Sequence, residues 1–112
     1  MPRRKGHGVR TIAVIPTLCA ALMVSACGSS ATHETGQQLF AQNCGRCHTL
    51  AAARTGGTVG PDLDRLFAGK PATAIESVVR HQIATGGGGM PSGIVSDGAA
   101  AKIATYVASV IR

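Results

Sequence analysis

Two cysteines separated by two residues and followed at once by a histidine, Cys44-Gly45-Arg46-Cys47-His48, constrain this chain more than any other feature of its sequence. That spacing puts both thiols within one helical turn, with an imidazole beside them. Several chemistries use such a pair. A structural zinc ion needs four ligands, and beyond these three residues the only further histidines from residue 28 onward are His33 and His81, with no further cysteine. A thioredoxin-like dithiol needs a βαβ pattern around it, and no alternating strand pattern lies near residues 44–47. A simple disulfide is open to any exported pair but gives no part to His48. Covalent haem attachment uses all three residues. The thiols add across the vinyl groups on one edge of the porphyrin, and the adjacent imidazole lies beneath the iron. The pattern selects haem, with Cys44, Cys47 and His48 as its anchors.

The segment before it reads as an address. A basic head, Met1 to Arg10, runs into an apolar stretch from Thr11 to Ala26, then Cys27 and Gly28-Ser29-Ser30. Basic, apolar and then small residues are the order of a secretory signal. Val24-Ser25-Ala26-Cys27 resembles a bacterial lipobox, which makes Cys27 the expected lipidated N-terminus and a lipid anchor the expected tie to a membrane. Cleavage after Ala26 without a lipid also fits. An uncut anchor fits less well, because the 16 apolar residues are interrupted by Pro16 and spanning a bilayer takes roughly 20. Each reading places the remainder outside the cytoplasm. Residues 1–26 are therefore the expected signal, 27–33 a flexible polar tether, and 34–112 a single domain.

The address also explains the charge. The formal net charge is +6, yet Arg3, Arg4, Lys5 and Arg10 all fall in the first ten residues. From residue 27 onward seven basic residues face five acidic ones, a scattered net of +2, which excludes the basic stripe of a nucleic-acid groove. Core-filling material is short. Hydrophobic residues make up 45% of the chain, but its aromatics are only Phe40, Phe67 and Tyr106. A domain this small usually needs a staple to supplement its core. A covalently tied, largely apolar haem supplies one.

Hydrophobic spacing predicts an all-α domain with no strand. A first helix starts near Glu34, carries Leu39, Phe40 and Cys44 inward and ends around the cysteine pair. Leu50 to Gly60 reads as loop, and Asp62 to Phe67 as one short helical turn. Thr73 and Glu76 have the form of a capping box for a helix whose inner face is Ile75, Val78, Val79 and Ile83 and which Gly86 stops. Gly86 to Gly89 lead to Met90-Pro91. Ser96 or Asp97 caps a last helix through Ile111, with Ile103, Tyr106, Val107 and Val110 as its buried stripe.

These segments together resemble a class I c-type cytochrome over residues 34–112. Gly36, Phe40 and the Cys44–His48 run reproduce the first-helix spacing of that family, and Gly60-Pro61-Asp62-Leu63 its Gly-Pro-x-Leu segment. Met90-Pro91 resembles the axial-methionine turn, and Ile103-x-x-Tyr106-Val107 the last helix, whose aromatic packs on the first-helix glycine. The chain lacks the Trp that some members place near a haem propionate. The resemblance implies a fold of three main helices plus short turns wrapped around one covalently bound haem c. It implies His48 as proximal iron ligand, the Pro61 carbonyl as acceptor of its other ring proton, and Leu63 against the haem face. Met90 is the expected sixth ligand. It is the sole methionine from residue 27 onward, and the glycines before it let the backbone curl close to the metal while Pro91 stiffens the turn. His81, within a regular helix, is the weaker candidate.

The implied activity is one-electron transfer by a monomeric domain, with iron closed on both sides and redox proteins as partners. By family expectation these are a quinol-oxidising complex and a terminal oxidase. A permanently bound electron-entry subunit of a larger oxidoreductase shares that chemistry. A haem peroxidase would need an open iron and distal acid–base groups. Arg80 and His81, being adjacent, point about 100° apart on a helix and do not form such a pair.

Overall fold

The computed structural model describes residues 34–112; the expected signal, Cys27 and the tether lie outside the described residues. Thr35 opens α1 (Gly36–Asn43) through a capping box, its hydroxyl accepting from the Gln38 amide while the Gln38 side chain accepts from the Thr35 amide. This reciprocal pair satisfies two donors that a helix start otherwise leaves free, and it sets the boundary just beyond Glu34. Leu39, Phe40 and Cys44 point inward as expected.

The loop expected over Leu50 to Gly60 holds a small antiparallel ribbon instead. β1 (Thr49–Leu50) pairs with β2 (Thr55–Gly56) across a 3-10 turn at Ala51–Ala53, with Thr49 opposite Gly56. The expectation of no strand is corrected here. Strands of two residues are too short to show alternation in sequence. Two hydroxyls brace this ribbon: Thr55 accepts from the Leu50 amide and donates to the His48 carbonyl, and Thr49 donates to the Gly57 carbonyl. Arg54 closes the turn at φ 55°, the sole non-glycine residue in the left-handed region among those described.

The short helical turn expected over Asp62 to Phe67 is present as α2 (Leu63–Leu66), which Asp62 caps by accepting from the Arg65 amide. α3 (Ala72–Thr85) starts earlier than its sequence cap implies. Pro71, not Thr73, stands at the N-cap, and its carbonyl accepts from the Ala74 and Ile75 amides. Proline has φ preset for a helix entry, so Thr73 is already inside the first turn. Glu76 is free of a capping role and accepts a 2.6 Å hydrogen bond from the Thr105 hydroxyl on α4 (Asp97–Val110). Gly86 ends α3 and Ser96 caps α4.

The helix α4 is the platform on which α1 and α3 both pack. Ile103 and Val107 are fully enclosed, whereas Tyr106 and Val110 are only half-buried. Ala100, Ala104 and Ala108 complete the inner face at helical spacing. Small residues read as filler in sequence, but here they let neighbouring backbones approach. One such close approach is at Gly36. A Cβ there would lie 2.5 Å from Tyr106 Cβ and closer still to the Lys102 carbonyl, so only glycine fits the crossing of α1 over α4. The same packing leaves Val78 on the inner-face spacing of α3 but 49% exposed. It faces a cavity rather than a helix.

Candidate haem-binding site

Between α3 and the segments 43–48 and 59–67 lies a cavity of about 450 Å³. All six residues expected to contact haem in this domain, Cys44, Cys47, His48, Pro61, Leu63 and Met90, line it. Its walls are apolar, with Phe40, Phe67, Val78, Val79, Ile83, Ile94 and Ile103 prominent, and no Asp, Glu, Lys or Arg among the described residues lines it. Val59 and Leu66 complete its rim and are exposed. His81 and Arg80 are exposed on α3 and absent from the lining, so neither reaches the cavity.

The Cys44–His48 turn is built by local hydrogen bonds. As α1 ends, the Cys44 amide bonds the Phe40 carbonyl at 2.8 Å, and the Cys44 carbonyl then accepts from the amides of Cys47 and His48 at 3.1 and 3.0 Å. Cys44 is buried and Cys47 exposed. Burial pushes the Cys44 thiol up to about 11, with the neighbouring Cys47 thiolate adding to the effect. The two sulfurs thus differ in environment while lining the same cavity.

His48 is oriented through its ring. Its Nδ1 lies 2.8 Å from the Pro61 carbonyl. A carbonyl can only accept, so Nδ1 carries the proton and Nε2 keeps its lone pair free for a metal. The Pro61 contact implied by resemblance is present. Gly60 completes the clasp in a way that spacing alone did not reveal. A Cβ at Gly60 would fall 2.5 Å from His48 Cε1 and 2.8 Å from Nδ1, so the ring lies flat against bare backbone. The Gly60 amide also donates to the Cys47 carbonyl at 2.7 Å. Gly57 packs against the backbone of Arg46 and Cys47, a Cβ there falling 2.6 Å from both carbonyl carbons. The Gly56-Gly57 pair, readable as mere loop punctuation, is in part a close-packing site.

Met90 arrives on a loop of different construction. Gly87 and Met90 exchange backbone hydrogen bonds of 2.9 and 3.0 Å around Gly88 and Gly89, whose φ values of 60° and 90° describe a tight type I′ turn. Gly86, also at positive φ, lies under the returning chain, where a Cβ would meet the Met90 carbonyl at 2.6 Å. Gln82, unremarked in sequence, lines the cavity and hydrogen-bonds the Gly86 carbonyl. A glutamine one turn before a helix-ending glycine is a signal that could have found it.

A thiol pair, a nitrogen lone pair aimed from an oriented imidazole, a thioether and uncharged apolar walls fit a haem tied to the chain and ligated through His48 and Met90. Comparison with known proteins agrees. Residues 31–107 match the family described as cytochrome c oxidase, cbb3-type, subunit III. Cytochrome c-551 of Bacillus subtilis (strain 168) is 30% identical, over 77% of this chain and 83% of that protein. The crystal structure of the c-type cytochrome SorU from Sinorhizobium meliloti is 33% identical and superposes with a TM-score of 0.57, covering 68% of this chain and 86% of that one.

Proposed function

Because the chain belongs to the class I monohaem c-type cytochromes, electron carriers with one covalently attached haem c, we propose that it serves an exported respiratory-type chain as a membrane-tethered carrier. Cys44 and Cys47 would hold the haem through thioether bonds, and His48 Nε2 and the Met90 sulfur would ligate its iron. The observation that supports this reading is the 2.8 Å bond between His48 Nδ1 and the Pro61 carbonyl, which leaves Nε2 with a free lone pair on a residue that lines the cavity together with Met90. When bound, the iron supplies a one-electron couple, and thioether ligation favours its ferrous state. Leu63 and the other apolar lining residues would keep water away from the bound group.

Residues 1–26 act as the export signal, Cys27 as the lipidated residue and 27–33 as the tether to the domain at 34–112. The sequence from Val24 to Cys27 supports this part of the reading. Partners are redox proteins at the same membrane, with a quinol-oxidising complex as donor and a terminal oxidase as acceptor. A second reading, a fixed electron-entry subunit of an oxidoreductase, draws support from the description of the matching family as an oxidase subunit.

Replacing Met90 by Ala in the haem-loaded protein tests the core of the proposal. The reduction potential should fall and cyanide should bind ferric iron rapidly; a parent-like spectrum and potential would remove Met90 as ligand. Cys27→Ser should move the protein from the membrane to the soluble fraction with its haem spectrum intact. Persistent attachment would refute lipid anchoring at Cys27. Co-migration of the native protein with a large oxidoreductase after detergent extraction would favour the subunit reading over the mobile carrier.

A further inference from the structure

We infer that Gln82 is a positioning residue for the Met90 loop, and that its side-chain amide sets how readily the sixth ligand leaves the iron. The inference rests on the reading of Met90 as that ligand.

Gln82 grips one residue twice. Its main-chain carbonyl accepts from the Gly86 amide at 2.8 Å, and its side-chain Nε2 donates to the Gly86 carbonyl at 2.9 Å. Both polar groups of Gly86 are thus held by a single residue of α3. Gly86 itself is at φ 66° and ψ −156°, a conformation almost confined to glycine, and it directs the chain out of the helix toward Met90. The tip of the loop has little rigidity of its own. Nothing lies within 4 Å of where a Cβ on Gly88 or Gly89 would be, and glycine has more backbone freedom to lose than any other residue.

The loop is fastened at three places: Gly86 to Gln82, Gly87 to Met90, and the Gly93 amide to the Ile83 carbonyl at 2.8 Å. Only the first includes a side chain among the described residues, so it is the one that substitution can remove without touching the backbone. The Gly87–Met90 pair makes the turn internally consistent but does not tie it to the rest of the domain. Gln82 does so at the helix end, from the wall of the cavity that Met90 lines. A hydrogen bond inside a partly buried site biases the two-state equilibrium between loop closed and loop displaced.

The test uses the haem-loaded protein and two substitutions, Gln82→Leu and Gln82→Glu, each removing the Nε2 donor. The readouts are the affinity and rate of cyanide binding to ferric iron, and the weak near-infrared absorbance that reports a sulfur–ferric iron bond. In both variants cyanide binding should strengthen and accelerate by roughly three- to tenfold, the factor that loss of one ordinary hydrogen bond gives. The sulfur–iron absorbance should weaken correspondingly at elevated temperature. Parent-like cyanide binding in both variants overturns the inference, and so does lowered thermal stability without a change in cyanide binding, which is the signature of a helix end and nothing more. Met90→Ala is the control that separates the two readings. If it opens the iron while both Gln82 variants stay parent-like, only the role of Gln82 fails. If the parent itself lacks the sulfur–iron absorbance, the ligand assignment fails with it.

Discussion

The two sides of the cavity are built from the same residue type used in opposite ways. Around His48, glycines are places of contact: hypothetical Cβ atoms on Gly45, Gly57 and Gly60 would each strike a neighbour at 2.5 to 2.6 Å. On the Met90 side only Gly86 makes such a contact, with the Met90 carbonyl, while at the tip of the loop Gly88 and Gly89 adjoin nothing among the described residues within 4 Å and are required for their positive φ alone. The first set is fixed by what surrounds it, since a substitution must push packed atoms aside. The second is fixed by conformation, since a substitution costs only local strain. One proposed iron ligand, His48, is thus over-determined by Pro61, Gly60, Thr55 and the ribbon. The other is carried by a turn that is well shaped but sparsely fastened. Local openings draw on elements with few packed contacts, so ligand exchange is expected on the methionine side.

The strongest test removes the group that joins the sides. A haem-free chain should lose cooperative thermal unfolding altogether, because ligand binding to the native state alone is part of its stability; a sharp, native-like transition in such a preparation would show that helix packing suffices without the cofactor. Next in size is Gly60→Ala in the haem-loaded protein. Its methyl group would displace the His48 ring, for an expected loss of about 3 kcal/mol by denaturant titration together with altered iron–imidazole spectra. Thr55→Val should cost about 1–2 kcal/mol, since the Leu50 amide and His48 carbonyl both lose a partner. Gly88→Ala should be the mildest, at about 1 kcal/mol from its φ of 60°, with His48 spectra unchanged. If Gly88→Ala proved more damaging than Gly60→Ala, the contrast between the two sides would be reversed.

Much of this was legible in the chain, for identifiable reasons. The Cys44–His48 run is contiguous, and Gly36 with Tyr106, or Pro61 with His48, come from family spacing that survives over long stretches. The ribbon was not legible, because its pairing depends on the Thr55 hydroxyl finding Leu50 and His48, a three-dimensional coincidence that no periodicity reports. Thr73 and Glu76 satisfied a capping pattern that Pro71 pre-empted two residues earlier. Val78 obeyed the inner-face rule, yet the face it shares with Val79 fronts a cavity. The Gln82 contact was hidden for a related reason. Its partner is a carbonyl freed by helix termination, and a glutamine at that place carries no apolar signature.

Among the described residues, no Asp, Glu, Lys or Arg lines the cavity, and this bears on how the redox couple responds to its surroundings. Oxidation adds a positive charge in a medium of low polarity, with no wall carboxylate to offset it, so the reduced form is favoured. The same walls offer no carboxylate or amine whose protonation could track the electron. Apart from the haem's own propionates, electron uptake is expected to be uncoupled from proton uptake, and the midpoint potential to stay nearly level across neutral pH. Such a domain would pass electrons at a set voltage and leave the movement of protons to its redox partners.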